Sequence, residues 1–187
     1  MTSLPPARRF DWTNLAIRVA SAAVMAPAVL AAMWWADVPH WGAVFLVLVA
    51  VAVALLSIEW AAMTATRAPV RVSAAVTAAV LAGAFLTHLG WVELAWAAMV
   101  VGALAAALVA RGVAERVTDA AFGVIYIAIP VICLIWLRHM PEGRQWTLML
   151  LAVTWSADIF AFLVGSALKG PKLWPRFSPN KTWSGFI

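Results

Sequence analysis

Trp41-Gly-Ala-Val-Phe-Leu-Val-Leu-Val-Ala-Val-Ala-Val-Ala-Leu-Leu-Ser-Ile58 is an uncharged apolar run of 18 residues, closed by Glu59 and Trp60. Wound as an α-helix it reaches ~27 Å, close to the ~30 Å hydrocarbon thickness of a bilayer. The apolar residues are continuous rather than alternating, which argues against a strand of a transmembrane barrel. Outward from this run the same pattern recurs at 19–36, 72–89, 94–110, 120–137 and 146–168, so with 41–59 there are six stretches. The fold class read from this is all-α, a polytopic membrane protein with about six transmembrane helices. The connections are short and carry breakers at Pro39, Pro69, Gly90, Gly112 and Pro141 to Gly143, so residues 1–187 are read as a single membrane domain. Pro27 and Pro130 fall inside spans, where each frees a carbonyl and favours a kink.

Composition supports this reading. The 187 residues are 65% hydrophobic and 11% charged, against roughly 45–50% and about 25% in soluble domains. A chain this short buries only about 70% of its unfolded surface, so a soluble monomer is excluded. Disorder, which requires low hydrophobicity and high charge, is excluded too. The lone Cys133 cannot form an internal disulfide. No CxxC, HExxH or Cys/His cluster is present, so no metal ligands are assigned. With the N-terminus inside, eleven of the thirteen Lys and Arg residues fall on the cytoplasmic side, and only Arg138 and Arg144 fall outside. This is a positive-inside pattern. It places the protein in the cell inner (plasma) membrane with a cytoplasmic N-terminus. Tryptophans near span ends, among them Trp34, Trp35, Trp60, Trp91, Trp136 and Trp146, fit an interfacial belt. Membrane orientation accounts for the sequence pI of about 10.4, and no nucleic acid partner is inferred. The first run exceeds a signal-peptide core of about 7–15 residues and is read as a retained span.

Asp158 lies inside the sixth stretch. A carboxylate at the bilayer centre costs roughly 2.5–3.5 kcal/mol on insertion scales, so such a residue faces a bundle interior or a wet cavity and marks function by default. Thr154, Asp158 and Gly165 share a helix face, with Ala161 beside them. The bland alternative is an Asp that glues helices together. Glu59 reads equally well as a helix-end charge. His40, His88 and His139 are scattered near outside loops. Arg111, Glu115, Arg116 and Asp119 read as a solvated loop with local ion pairs.

The segment after the last span is Gly165-Ser-Ala-Leu-Lys169-Gly-Pro-Lys172-Leu-Trp-Pro-Arg176-Phe-Ser178-Pro-Asn180-Lys181-Thr182-Trp-Ser184-Gly185. Four cations, the hydroxyls of Ser178 and Thr182, and turn residues sit together. Such a set can cradle phosphate oxygens, and by composition alone it serves equally as a juxtamembrane basic loop. The order of residues separates the two. Asp158, Phe162, Gly165, then Lys-Gly-x-Lys-Leu-x-Pro, then Ser-Pro-Asn-Lys-Thr-Trp-Ser-Gly resembles the phosphatidate cytidylyltransferase family. The resemblance covers Trp155 to Gly185 specifically, and the earlier spans agree in style. Phe162 stands where a tyrosine is common, and Ser184 where a glutamate is common.

The resemblance implies the reaction CTP + phosphatidate to CDP-diacylglycerol + pyrophosphate, serving phospholipid biosynthesis, with Mg2+ as cofactor. It implies Lys181 for phosphate contact, with Ser178, Asn180 and Thr182 shaping the loop. Asp158 would orient that loop or help bind a metal indirectly, and Lys169 and Lys172 would steer anions. Asp158 and Lys181 are thus the candidate catalytic residues. The partners implied are CTP, phosphatidate and membrane lipid, with a homodimer left open. The family's second signature, which supplies metal-binding aspartates, is expected beyond Ile187. The chain is therefore expected to be the N-terminal part of such an enzyme, inactive by itself. The competing classes are a small proton- or ion-coupled transporter using Asp158 and a structural membrane subunit.

Overall fold

The computed structural model describes residues 12–35, 42–168, 170–174 and 178–185. Six helices follow in order: α1 (Trp12–Trp35), α2 (Gly42–Thr64), α3 (Pro69–His88), α4 (Val92–Val109), α5 (Val117–His139) and α6 (Gly143–Leu168). A short antiparallel ribbon, β1 (Lys172–Trp174) and β2 (Ser178–Thr182), and a 3-10 turn (Trp183–Gly185) complete the described chain. Among the described residues, five helical stretches are long and apolar enough to cross a membrane: Ala43–Thr64, Pro69–His88, Val92–Val109, Val117–His139 and Gly143–Gly165. A shorter apolar stretch, Ala26–Trp35, lies in α1. The all-helical, multi-pass reading holds. The chain divides into two compact units, Met1–Val51 and Ala52–Ile187.

Helix ends lie up to seven residues from the apolar limits read in the sequence, the largest offset being the start of α1 at Trp12. The second helix continues past Glu59 to Thr64, because a charge at the interface does not interrupt the backbone ladder. The third starts at Pro69, whose missing N–H is no loss in the first turn. Helices α1 and α5 run on through Pro27 and Pro130. Gly90 ends α3 at φ 84°, where the Trp91 N–H reaches back to the Leu86 carbonyl (2.9 Å). A residue with a Cβ is disfavoured in that left-handed conformation.

Within the second unit, α3, α4 and α5 pack against one another in all three pairings. The buried positions of α3 (Val72, Ser73, Val76, Val80, Gly83, Ala84, Thr87) recur at three- and four-residue steps. Those of α5 (Ala120, Gly123, Val124, Ile127, Ala128, Val131, Ile132, Ile135) do the same, so each helix offers one face. In α4 the buried residues are alanines, Ala95, Ala103 and Ala106. Apolar lipid provides no hydrophobic drive between helices, so close contact must come from small residues. Gly102 is the tightest case on α4, since a Cβ there would stand 2.6 Å from Ala79 Cβ.

Three expectations are revised here. Trp60 is not simply a belt residue: Nε1 donates to the Asp119 carbonyl (2.9 Å), and its ring stacks with Tyr126 at 5.8 Å. Asp119 thus serves α2–α5 packing through its backbone, and no ion pair joins it to Arg111 or Arg116 among the described residues. The histidines are not all scattered either. His88 and His139 meet where α3 and α5 end, with ring centroids 5.3 Å apart.

The glycines of this core should respond differently to one methyl group. Gly83→Ala places its Cβ 3.5 Å from Ile132 Cδ1, an ordinary contact, and should be neutral or stabilising by up to about 1 kcal/mol through helix propensity. Gly102→Ala should destabilise by about 1–3 kcal/mol through overpacking. Thermal unfolding in one detergent, monitored by helical circular dichroism, gives the ranking, and the reverse order would contradict the α3–α4 contact.

Candidate functional site

The candidate residues lie on α6 and on the segment that follows it. From Leu148 to Gly165, α6 has no buried residue. Asp158 is exposed on this helix. It stands seven residues before Gly165, where the apolar stretch ends, which is about 10 Å along the axis. The carboxylate therefore sits toward the end of the span that leads into the basic segment. Thr154, on the same face, donates its hydroxyl to the Leu150 carbonyl of its own helix (2.8 Å). That satisfies the hydroxyl's proton locally and leaves Asp158 as the ionisable group on the face. Asp158 has no hydrogen-bond or ion-pair partner among the described residues.

After α6 the chain does not run off as an open loop. The ribbon pairs Lys172 with Thr182 and Trp174 with Ser178. Between these pairs β1 has the single residue Leu173, whereas β2 has Pro179, Asn180 and Lys181. Pro179 has no N–H to give to the ladder, and proline inside a ribbon belongs at an edge or a bulge. Asn180 and Lys181 therefore occupy an irregular, bulged stretch. Bulges of this kind re-aim side chains and are frequent beside active sites. Because Lys172 pairs with Thr182, the residue after Lys181, both lysines occupy neighbouring register positions on opposite strands.

The ribbon is fastened at its base. The Trp183 N–H donates to the Pro171 carbonyl (3.0 Å). The Gly170 N–H donates to Ser184 Oγ (3.2 Å), and Ser184 Oγ–H donates to Thr182 Oγ1 (3.1 Å). Thr182 is buried, with 8% exposure, so its hydroxyl shapes the fold of the segment. A Cβ on Gly170 would lie 2.8 Å from Ser184 Oγ, so this approach requires glycine. The 3-10 turn packs against α6, which folds the segment back on the helix that carries Asp158.

The structure thus brings the backbones of Lys172, Ser178, Asn180, Lys181 and Thr182 into one ribbon, followed by a 3-10 turn that packs on α6. Lys169 lies outside the described residues. Sequence reasoning missed Ser184 and Gly170 as the pair that closes the segment. The available signal was a small hydroxyl residue three positions after Lys181, at the place where the resemblance leads one to expect glutamate. Among the described residues no three His, Cys, Asp or Glu side chains gather into a metal site. Mg2+ is typically held by one or two carboxylates together with substrate phosphates and water. Among the described residues Asp158 has no second carboxylate grouped with it, so no residue here is assigned to Mg2+ and no step is routed through it.

Comparison with known proteins bears on this arrangement. A profile described as the cytidylyltransferase family matches residues 16–187. The phosphatidate cytidylyltransferase of Rickettsia conorii is 42% identical over 74 residues, which take in 39% of this chain and 32% of that protein. That of Brucella abortus is 52% identical over 68 residues, 36% of this chain and 25% of that protein. That of Rickettsia bellii is 45% identical over 65 residues, 35% of this chain and 28% of that protein. The matched stretches thus span about a quarter to a third of the length of these relatives. No solved structure matches.

Loss of the Ser184 hydroxyl should loosen the base of the ribbon. Ser184→Ala removes the acceptor of the Gly170 N–H, a contact worth about 0.5–1.5 kcal/mol. Hydrogen exchange at the Gly170 and Trp183 amides should then accelerate by about 2- to 10-fold, while exchange in the α3–α5 core stays unchanged. Equal exchange in variant and wild type would mean that the serine does not hold the segment.

Proposed function

The chain belongs to the cytidylyltransferase family, and from that premise we propose that it serves a phosphatidate cytidylyltransferase reaction in phospholipid biosynthesis. In this reaction a phosphate oxygen of phosphatidate attacks the α-phosphorus of CTP. The bond from the α-phosphorus to the bridging oxygen breaks, and pyrophosphate leaves, giving CDP-diacylglycerol. The observation that carries the proposal is the packing against α6 of the 3-10 turn that follows the lysine-bearing ribbon, α6 being the helix with a carboxylate within its apolar stretch. One reactant is a soluble polyanion and the other a membrane lipid. An enzyme joining them needs cations at the interface, next to a surface reached from the bilayer. The relatives named as phosphatidate cytidylyltransferases support the same reading.

Phosphoryl and nucleotidyl transfers require little covalent help from the protein. They depend on holding both reactants in line and on neutralising phosphate charge. Lys181 is proposed to contact the triphosphate from the bulge, with Ser178, Asn180 and Thr182 setting the shape of the ribbon. Lys169 and Lys172 are proposed to draw CTP to the site by their charge. Asp158 is proposed to orient the ribbon through a contact made when substrate is bound. Mg2+ remains a proposed cofactor of the reaction. The protein is proposed to lie in the inner (plasma) membrane with its N-terminus and ribbon in the cytoplasm, following the distribution of Lys and Arg. A second copy of the chain is an allowed partner, since the Leu148–Gly165 stretch of α6 has no buried residue. A transporter reading of Asp158 has no specific observation in its favour, because no second ionisable group pairs with it among the described residues.

Topology is checked by labelling. In a Cys133→Ala background, a cysteine introduced at position 176 should react with a membrane-impermeant maleimide only after the cells are opened. Labelling in intact cells would remove the nucleotide assignment.

The chemical roles are checked in native membranes, by CDP-diacylglycerol formed from radiolabelled CTP. Lys181→Ala should remove a charge-assisted contact worth roughly 1.5–3 kcal/mol. This corresponds to a fall of about 10- to 150-fold in kcat/KM. Lys181→Arg should recover part of it, since a planar fork does not replace a compact ammonium. Asp158→Asn should lower activity at equal membrane expression. If Asp158 only joins helices, Asn should serve nearly as well, because it can still hydrogen-bond. Wild-type rates for both Lys181→Ala and Asp158→Asn would overturn the site assignment.

A further inference from the structure

His88 ends α3 and His139 ends α5, and their rings meet edge to face with centroids 5.3 Å apart. Both residues are exposed. His139 precedes the first residue of α6 by four positions, and the basic segment follows the other end of that helix, 26 residues or about 39 Å later. Neither has a part in the proposed reaction. His139 Nδ1 lies 2.8 Å from the Ile135 carbonyl oxygen. A carbonyl oxygen only accepts, so Nδ1 carries the proton, and in the neutral ring the lone pair is on Nε2. Metal-ligating histidines are commonly oriented in this way, by a backbone carbonyl on the other ring nitrogen.

The ring of His88 makes no hydrogen bond among the described residues. Two imidazoles that share one tetrahedral ion at about 2.0–2.1 Å have ring centres ~5 Å apart, which matches the spacing here. Both rings also stand at helix C-termini, where the peptide dipoles favour a cation. Among the described residues no third His, Cys, Asp or Glu joins them, so water or an external ligand would complete the shell.

We propose that His88 and His139 form an open two-imidazole site for a divalent transition metal of the zinc, copper and nickel class, which imidazole suits better than it suits Mg2+. A bound ion would strap the end of α3 to the end of α5 and stabilise the folded bundle by linkage. The test is calorimetric titration of Zn2+ into the detergent-purified chain without a polyhistidine tag. Wild type should show one saturable site per chain and a higher unfolding temperature with Zn2+. His88→Gln and His139→Gln should each weaken binding by about 10-fold or more, as loss of a ligand does at least what loss of a supporting contact does. Glutamine at 139 keeps an N–H donor for the Ile135 carbonyl. Independently of any variant, Cu2+ on the wild-type chain should show nitrogen superhyperfine coupling in its paramagnetic resonance spectrum. No saturable Zn2+ site in wild type, undiminished binding in both glutamine variants, or a Cu2+ spectrum without nitrogen coupling would overturn the proposal.

Discussion

Inside hydrocarbon every backbone N–H and C=O must find its partner within the protein, because no water is there to replace it. The described spans meet that demand with helices. The same constraint governs the polar side chains they carry. The hydroxyls of Thr64, Thr87, Thr147 and Thr154 each donate to the carbonyl four residues earlier in the same helix. Trp60 sends its indole N–H to the Asp119 carbonyl in the first turn of α5, so that a side chain joins two helices. Where the chain leaves the apolar stretch, its hydrogen bonding passes to the ribbon and to the Gly170, Thr182 and Ser184 closure.

With backbone groups already paired, helix association rests on contact distance. Lipid tails are as apolar as valine, so burying valine against a neighbour gains packing rather than release from water. This gives α4 its importance. Its buried residues are alanines, and Gly102 admits Ala79 of α3 at a distance that no larger residue would allow. Helices α3 and α5 bring their branched residues to the same core, with Val80, Val124 and Ile132 among its fully buried members. Helix α6 is the exception. It leaves the core after its first turns and keeps an unburied surface over most of its length.

That asymmetry matters for chemistry. A packed trio of helices can hold position while α6 offers a carboxylate and an apolar surface to whatever approaches within the membrane. The ribbon adds cations at the end of the same helix. The bulge in β2 follows from Pro179, since a residue without an N–H cannot continue the ladder. Lys181 is therefore placed by the covalent structure of its neighbour but one. The serine and glycine at the base then decide how tightly that placement is held.

Much of the fold was legible in the sequence because the apolar runs are long, uncharged and close to bilayer thickness. Residues 41–58 alone require a spanning helix, whatever surrounds them. Breakers such as Pro69 and Gly90 act locally, so the turns could be read as well. Asp158 and Lys181 could be singled out because a carboxylate within an apolar stretch and a lysine in an ordered motif are rare. The pairings were not legible. The ribbon depends on a register between residues ten apart, and the contact of His88 with His139 joins positions 51 residues apart. Trp60 looked like an interfacial residue until α5 supplied a carbonyl for its indole. Composition and period determine whether a segment can lie in a membrane, because each segment meets the solvent by itself. Which faces touch is decided only by the tertiary structure, because in lipid that choice turns on sub-ångström fit between side chains far apart in the chain.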